Sequence, residues 1–239
     1  MSRIETRWWS LWLVVGFLAA SMWVAPVALS KPGSTMSPGR QAGTDTEIAL
    51  RLLKKGNERF VSGKMRRRDY PEEVSETADG QHPFAAIVSC LDSRIPPETI
   101  FDRGIGDLFV ARIAGNFVND DILGSLEFAV ISGAQTIVIL GHNRCGAVIG
   151  ACNQQDAGGL LAGTLANINP AVQSVGHEHG PRDGDNPAFV QAVAEENVHL
   201  TIQKLLDRSL RLRAAVEDGS LEVVGAMYDL TTGEVEFWD

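Results

Sequence analysis

Thr136-Ile137-Val138-Ile139-Leu140-Gly141-His142-Asn143-Arg144-Cys145 decides the fold. Its first five residues run without a break in β-branched and aliphatic side chains, and glycines stand at 133 and 141. A short continuous run of this kind reads as a strand buried on both faces. Such strands need helices on both sides and belong to parallel sheets. A histidine and a cysteine, three residues apart, follow at the carboxyl end of the run.

The same pattern recurs on either side. Phe84–Ser89 is a second apolar run, ending at Cys90, and Leu108–Ile113 is a third. Leu221–Ala226 is a fourth, and the turn Asp229–Gly233 leads into a fifth at Glu234–Trp238. Helical spacing lies between them. Asp121–Ser132 places Ile122, Leu126, Ala129 and Val130 on one side, with Gly133 as its stop, and longer helical patterns cover 159–175 and 187–209. Strands alternating with helices predict an α/β fold, a mainly parallel β-sheet flanked by α-helices in a single domain. In open sheets of this kind ligands bind beyond the carboxyl ends of the strands. Cys90 and His142, 52 residues apart, both occupy such ends and meet if their strands are neighbours.

Towards the amino terminus, Thr44-Asp45-Thr46-Glu47 is a capping-box pattern. It opens a helix whose apolar stripe is Ile48, Leu52 and Phe60, with Gly56 between and Gly63 as the stop. The domain is thereby expected to span 44–239. Residues 31–43, KPGSTMSPGRQAG, read as a linker. Residues 1–30 have Arg3 and Arg7, an apolar stretch from Trp8 to Val24, and small residues at Ala28 and Ser30. This is the pattern of a secretory signal peptide, with a retained membrane anchor over residues 8–24 as the alternative. Either places the domain outside the cytoplasm, periplasmic or secreted.

Composition narrows the chemistry. A net charge of −9 and a pI near 5.1 argue against a nucleic-acid partner. The one basic run, Lys64–Arg68, is short, is followed by acidic residues, and reads as a solvated loop. Three cysteines occur, Cys90, Cys145 and Cys152, and an odd count in an exported chain points away from a disulfide framework. Cys152 reads as a small buried core thiol. His177 and His179 lie in the Gly- and Pro-rich GHEHGPRDGDNP and read as part of a solvated loop.

Cys90, His142 and Cys145 form a three-ligand set of the kind zinc takes, one ion per chain, with the fourth position open as in catalytic sites. If a helical turn begins at His142, it and Cys145 share one face. Asp92 and Arg94 read either as a structural ion pair or as a carboxylate held ionised and oriented beside the metal. Zinc lowers the pKa of bound water to about 7. Two thiolates give zinc more charge than imidazoles do, so activity is expected to rise toward alkaline pH.

CLDSR at 90–94, with GDLFVARIAGN, GSLEFAV and GHNRCGAV after it, closely resembles the β-class carbonic anhydrases, and the likeness runs over roughly 45–239. The resemblance implies zinc ligation by Cys90, His142 and Cys145, with Asp92 and Arg94 as a gatekeeping dyad that orients a zinc-bound hydroxide. It implies reversible hydration of carbon dioxide to bicarbonate and a proton. Gln81 matches a substrate-pocket glutamine of the plant-like branch, Phe109 and Ala114 match apolar pocket positions, and Gly146 matches a glycine bordering the pocket. Phe128 matches an aromatic, often Tyr, that reaches across a dimer interface, so a homodimer or higher even oligomer is implied. Arg112 and Tyr228 match two members of a regulatory bicarbonate site found in another branch. Its third member, a Trp, is replaced here by Ile87, which favours the unregulated branch. Two other functions fit the same residues: hydrolysis of carbonyl sulfide or carbon disulfide on the same fold, and a zinc-stabilised binding protein without turnover. The intact Asp92–Arg94 pair argues against the last.

Overall fold

The computed structural model describes residues 34–238. Five strands form one sheet: β1 (Ala85–Ser89), β2 (Leu108–Arg112), β3 (Thr136–His142), β4 (Glu222–Tyr228) and β5 (Val235–Phe237), in the order β2-β1-β3-β4-β5. The first four run parallel, and β5 returns antiparallel to β4 after a tight turn. All residues of β1 and β3 are buried, as expected of parallel strands covered on both faces. The register sets Ser89 beside Leu140 and His142 beside Tyr228, so the carboxyl ends of β1, β3 and β4 share one edge.

Ten helices are present among the described residues: α1 (Pro38–Ala42), α2 (Thr46–Val61), α3 (Tyr70–Glu76), α4 (Pro97–Ile100), α5 (Asp120–Ile131), α6 (Gly146–Cys152), α7 (Gly159–Ala166), α8 (Asn169–Ser174), α9 (Pro187–Arg208) and α10 (Leu210–Glu217). α9 packs against β3 and β4, α5 against β1, and α2 against β3 and α4. The predicted fold class is the one observed.

Several elements differ in detail. The cap of α2 is Asp45, whose carboxylate accepts the amide of Ile48 at 2.7 Å. Thr44 is turned back, its hydroxyl donating to the carbonyl of Arg40. The buried stripe of α2 is correspondingly Ala49, Leu53, Gly56 and Asn57, while Ile48, Leu52 and Phe60 are half-buried. Of the linker expected at 31–43, residues 34–43 fold onto the domain. Pro38 opens α1, Met36 donates its buried amide to Asp107, and the Gln41 amide bridges the carbonyls of Pro83 and Ser132. The 159–175 pattern splits into α7 and α8, because Pro170 starts a new helix rather than continuing the old one. Arg68 is not part of a solvated loop. It donates to Glu73 and to the carbonyl of Asp102, and Asp102, fully buried, is also paired with Arg59. The signal or anchor expected at 1–30 lies outside the described residues. Among those described, no helix is long and apolar enough to cross a membrane.

Gly56 is where α2 meets the α4 turn. A Cβ there would stand 1.8 Å from the carbonyl oxygen of Phe101 and 2.6 Å from its carbon, both backbone atoms. Gly56→Ala gains up to about 1 kcal/mol of helix propensity, but two packed backbones must separate to admit the methyl. The expected result is net destabilisation of about 1–3 kcal/mol, read as a lower midpoint in urea denaturation. An unchanged or raised midpoint would refute this packing.

Candidate metal centre

Cys90 is the first residue beyond β1 and His142 the last of β3, so the neighbouring parallel strands set the two side by side. Cys145 is the N-cap of α6. His142 and Cys145 therefore do not share a helical face, as their spacing suggests. They converge across a strand–turn–helix in which Arg144 takes φ 51°. Asn143 pins that turn by donating its amide to the carbonyl of Tyr228 and accepting the amide of Leu230 on Oδ1.

The three donor atoms lie within 4.8 Å of one another, and all three residues are buried. The two sulfurs are 3.8 Å apart, far beyond a disulfide bond. Two sulfurs about 2.3 Å from a tetrahedral ion stand about 3.8 Å apart, so the pair already has the spacing zinc requires. His142 is fully buried, with Nδ1 at 2.8 Å from the carbonyl oxygen of Asn143. That contact makes Nδ1 the N–H and leaves the lone pair on Nε2. Nε2 is buried without any partner, a state a ligand position explains. The thiols behave as a pair. Cys90 is shifted well down by the hydrogen bond from Cys145, with further help from His142 and the amide of Gly115, against the opposing effect of burial. Cys145 is pushed up by the same contact and by burial. The first proton leaves readily and the second is held, unless a cation replaces it. Donor set and spacing both fit a thiophilic divalent ion such as zinc.

Beside this trio Asp92 and Arg94 form a two-pronged pair: Nε to Oδ1 at 2.9 Å and Nη2 to Oδ2 at 2.7 Å, with the Arg94 amide adding 3.0 Å to Oδ1. These hydrogen bonds hold the Asp92 carboxyl well below the usual carboxylate range. Arg112, on β2, donates to the carbonyls of Cys90, Leu91 and Asp92. Its guanidinium thus fixes the backbone that carries both the ligand and the dyad, a use its place in a bicarbonate motif does not suggest.

The predicted pocket residues divide into two groups. Ala114 precedes Gly115, whose amide reaches Cys90 Sγ at 3.4 Å, and Gly146 opens α6 next to Cys145, where a Cβ would meet nothing within 4 Å. Both belong to the metal edge. Gln81 does not. It is exposed and lies four residues before β1, at the opposite end of the strand from Cys90. Phe109 pairs with Ala86 in register, four residues short of Cys90, and its ring meets that of Phe128 edge-on with centroids 5.9 Å apart. Phe128 is exposed. Within one chain these three are not brought to the metal donors. Ile87 is fully buried in β1, and Tyr228 is buried at the end of β4. Cys152 is a buried free thiol pushed up to about 11 by burial, in keeping with a core role. His177 and His179 lie in an irregular loop, and His179 contacts Glu178.

Two residues that serve the site go unnoticed in the sequence, Gly115 and Asn197. Asn197 is buried on α9, and its amide donates to the carbonyl of Gly115 at 2.8 Å. The available signal was one amide among largely apolar buried residues of α9, Val190, Val193, Ala194 and Val198 among them.

The family profile described as carbonic anhydrase matches residues 85–235. Carbonic anhydrase 2 of Mycobacterium tuberculosis is 36% identical over 208 residues, covering 82% of this chain and 94% of that protein. A carbonic anhydrase of Mycolicibacterium smegmatis is 32% identical over 194 residues, covering 79% and 91%. Among solved structures, a β-carbonic anhydrase of Aspergillus fumigatus superposes with a TM-score of 0.61 at 27% identity, covering 81% of this chain and 90% of that one. One of two tetrameric β-carbonic anhydrases from Sordaria macrospora gives 0.60 at 28% identity, covering 70% and 86%. With the cysteine–histidine–cysteine trio at the shared strand edge and likeness of this extent along the chain, the protein belongs to the β-class carbonic anhydrases, a family of enzymes.

Proposed function

We propose that this chain catalyses the reversible hydration of carbon dioxide to bicarbonate and a proton, with one zinc ion per chain held by Cys90, His142 and Cys145. The observation that carries the reading is the buried, unpartnered Nε2 of His142 within 4.8 Å of two free thiols, in a chain of this family. Zinc, when bound, supplies an acidified water as nucleophile at near-neutral pH, as carbonic anhydrase itself exemplifies. Asp92 is the residue that would accept a hydrogen bond from that nucleophile and so orient it toward the carbon. Arg94 engages both Asp92 oxygens, which keeps the carboxylate ionised and would hold it off a bound metal. Gly146 leaves open space beside Cys145, where a Cβ would meet nothing within 4 Å.

The pocket is completed by a second copy. Gln81, Phe109 and Phe128 lie away from the chain's own donors: Gln81 is exposed before β1, Phe109 is on the edge strand β2, and Phe128 is exposed beside Phe109. That placement supports their contribution to a neighbour's site in a homodimer or higher even oligomer, and the Sordaria macrospora relatives are described as tetrameric. The proposal includes export, carried by the charged and apolar residues 1–30. Sequencing the amino terminus of the exported protein separates cleavage near Ser30 from retention as an anchor. An intact, soluble cytoplasmic chain refutes both.

Metal analysis and stopped-flow carbon dioxide hydration on the purified protein, with carbonyl sulfide as the competing substrate, test the function. About one zinc per chain with rapid hydration supports it. Turnover of carbonyl sulfide alone reassigns the substrate, and zinc with neither activity reduces the site to a structural one. Sedimentation of the same sample should give a dimer or larger. A fully active monomer would overturn the shared pocket.

A further inference from the structure

We infer that Asn197 is a positioning residue for the metal-holding sulfur of Cys90: its side-chain amide fixes the Gly115 turn so that the Gly115 N–H stays aimed at Cys90 Sγ. The inference rests on the reading of Cys90, His142 and Cys145 as metal ligands.

The contacts form a short chain from helix to ligand. Asn197 Nδ2 donates to the Gly115 carbonyl at 2.8 Å, and the Gly115 amide donates to Cys90 Sγ at 3.4 Å. Gly115 and Asn116 both lie in the left-handed region, at φ 88° and φ 41°. Glycine and asparagine are the residues that take this conformation most readily, so the sequence suits the turn. Within the turn, the Asn116 amide donates to the Ile113 carbonyl at 3.0 Å. A side chain at 115 is barred as well, since a Cβ would come within 2.5 Å of Ile168 Cδ1. The turn is crowded from one side and anchored from the other by one buried amide.

The anchor is rigidly mounted. Asn197 is 3% exposed, in the middle of a 22-residue helix. The next residue, Val198, approaches Gly141 so closely that a Cβ there would sit 2.7 Å from Val198 Cγ2. Gly141 immediately precedes His142. Consecutive residues of α9 therefore brace the segments that carry two of the three ligands. An N–H bond to a thiolate draws charge from the sulfur and fixes its lone pairs, and partners of this kind tune both affinity and ligand character.

Asn197→Leu removes the donor at similar volume, and Asn197→Asp keeps the shape but sets an acceptor against the Gly115 carbonyl. Both should lower zinc affinity by about 10- to 100-fold in chelator competition. In the cobalt-substituted protein both should shift the sulfur-to-metal charge-transfer bands. A purely structural asparagine would lower the unfolding midpoint and leave the bands of the folded protein where they were; that result overturns the inference. Should both variants fail to fold, the intact protein loaded with 113Cd decides. Scalar coupling between the metal and the Gly115 amide proton through the N–H···S bond is expected, and its absence overturns the inference. If the intact protein binds neither zinc, cobalt nor cadmium, it is the ligand assignment itself that has failed. Tight binding by the intact protein with unchanged variants refutes the role of Asn197 alone.

Discussion

Cys90→Ser and His142→Ala are each expected to strip the protein of zinc and of hydration activity together. The intact protein should hold about one zinc per chain. Either substitution leaves two protein donors in a buried site, and one of the remaining groups without its counterpart. In Cys90→Ser the serine oxygen is neutral at working pH and replaces a thiolate that the site is built to stabilise, through Cys145 and the amide of Gly115. In His142→Ala the lost group is the only imidazole of the trio, with its Nδ1 already committed to the Asn143 carbonyl. Hydration should fall by on the order of 10³-fold or more, the uncatalysed reaction setting the floor. Metal content by mass spectrometry on native protein and stopped-flow hydration on the same sample are the measurements. Full zinc occupancy in both variants would refute the ligand assignment. Loss of metal with retained hydration would refute the mechanism while leaving the site in place.

The expected pH behaviour follows from the same ligands. Two thiolates would make a bound zinc a weaker acidifier of water than three imidazoles would, so hydration should rise toward alkaline pH. Asp92 does not produce that rise. Its folded-state pKa lies below the unfolded value of about 3.9, chiefly through the Arg94 side chain. The stability linked to its ionisation is therefore complete above about pH 3.9 and is lost as pH falls through the lower folded value. Across the neutral range it stays charged.

Periodicity reached the sheet more fully than the helices. β1 and β3 are read within two residues of their ends because strands buried on both faces leave an unbroken apolar signature. Once those two strands are neighbours, the meeting of Cys90 and His142 follows from register. The capping of α2 was misplaced by one residue because Thr44 and Asp45 are both good caps. The local bond of Thr44 back to the Arg40 carbonyl, in α1, leaves Asp45 to face the helix. The short helices α3, α4 and α6 span too few turns to show a period. Gln81 matches a pocket residue in sequence yet lies at the far end of β1 from Cys90. No reading of a single chain predicts that, since a motif match carries no information about which copy uses the residue. Asn197 was missed for a different reason. An amide on an apolar stripe reads as an interruption until the carbonyl it serves is known.

The dyad predicts the most informative variants. Arg94 is more than half exposed, and ion pairs so open to solvent contribute little to stability. Its two-pronged grip on Asp92 is thus better explained by what Asp92 must not do. A carboxylate two residues from Cys90, freed of its guanidinium, would lie next to the proposed zinc and its open position. Arg94→Ala should let an Asp92 oxygen close to about 2.0–2.2 Å from zinc, displacing water. Zinc should stay bound while hydration falls by about 10²-fold. Arg94→Lys should recover only part of the rate, because an ammonium cannot engage both oxygens at once. Asp92→Ala should keep zinc and the open position and still lose about 10²-fold, the nucleophile being present but unaimed. Zinc X-ray absorption separates the two variants, one gaining an oxygen ligand from protein and the other keeping water. Direct Asp92 ligation in the unsubstituted protein near neutral pH would overturn the assignment. So would a steep cooperative loss of activity, reversed by removing bicarbonate. Such a loss would mean that Arg112 and Tyr228 serve a regulatory site despite Ile87. The three carbonyls already bonded to Arg112 argue for the opposite outcome: its guanidinium is held by the backbone from Cys90 to Asp92, and an anion could take it only by loosening the loop that carries the first ligand.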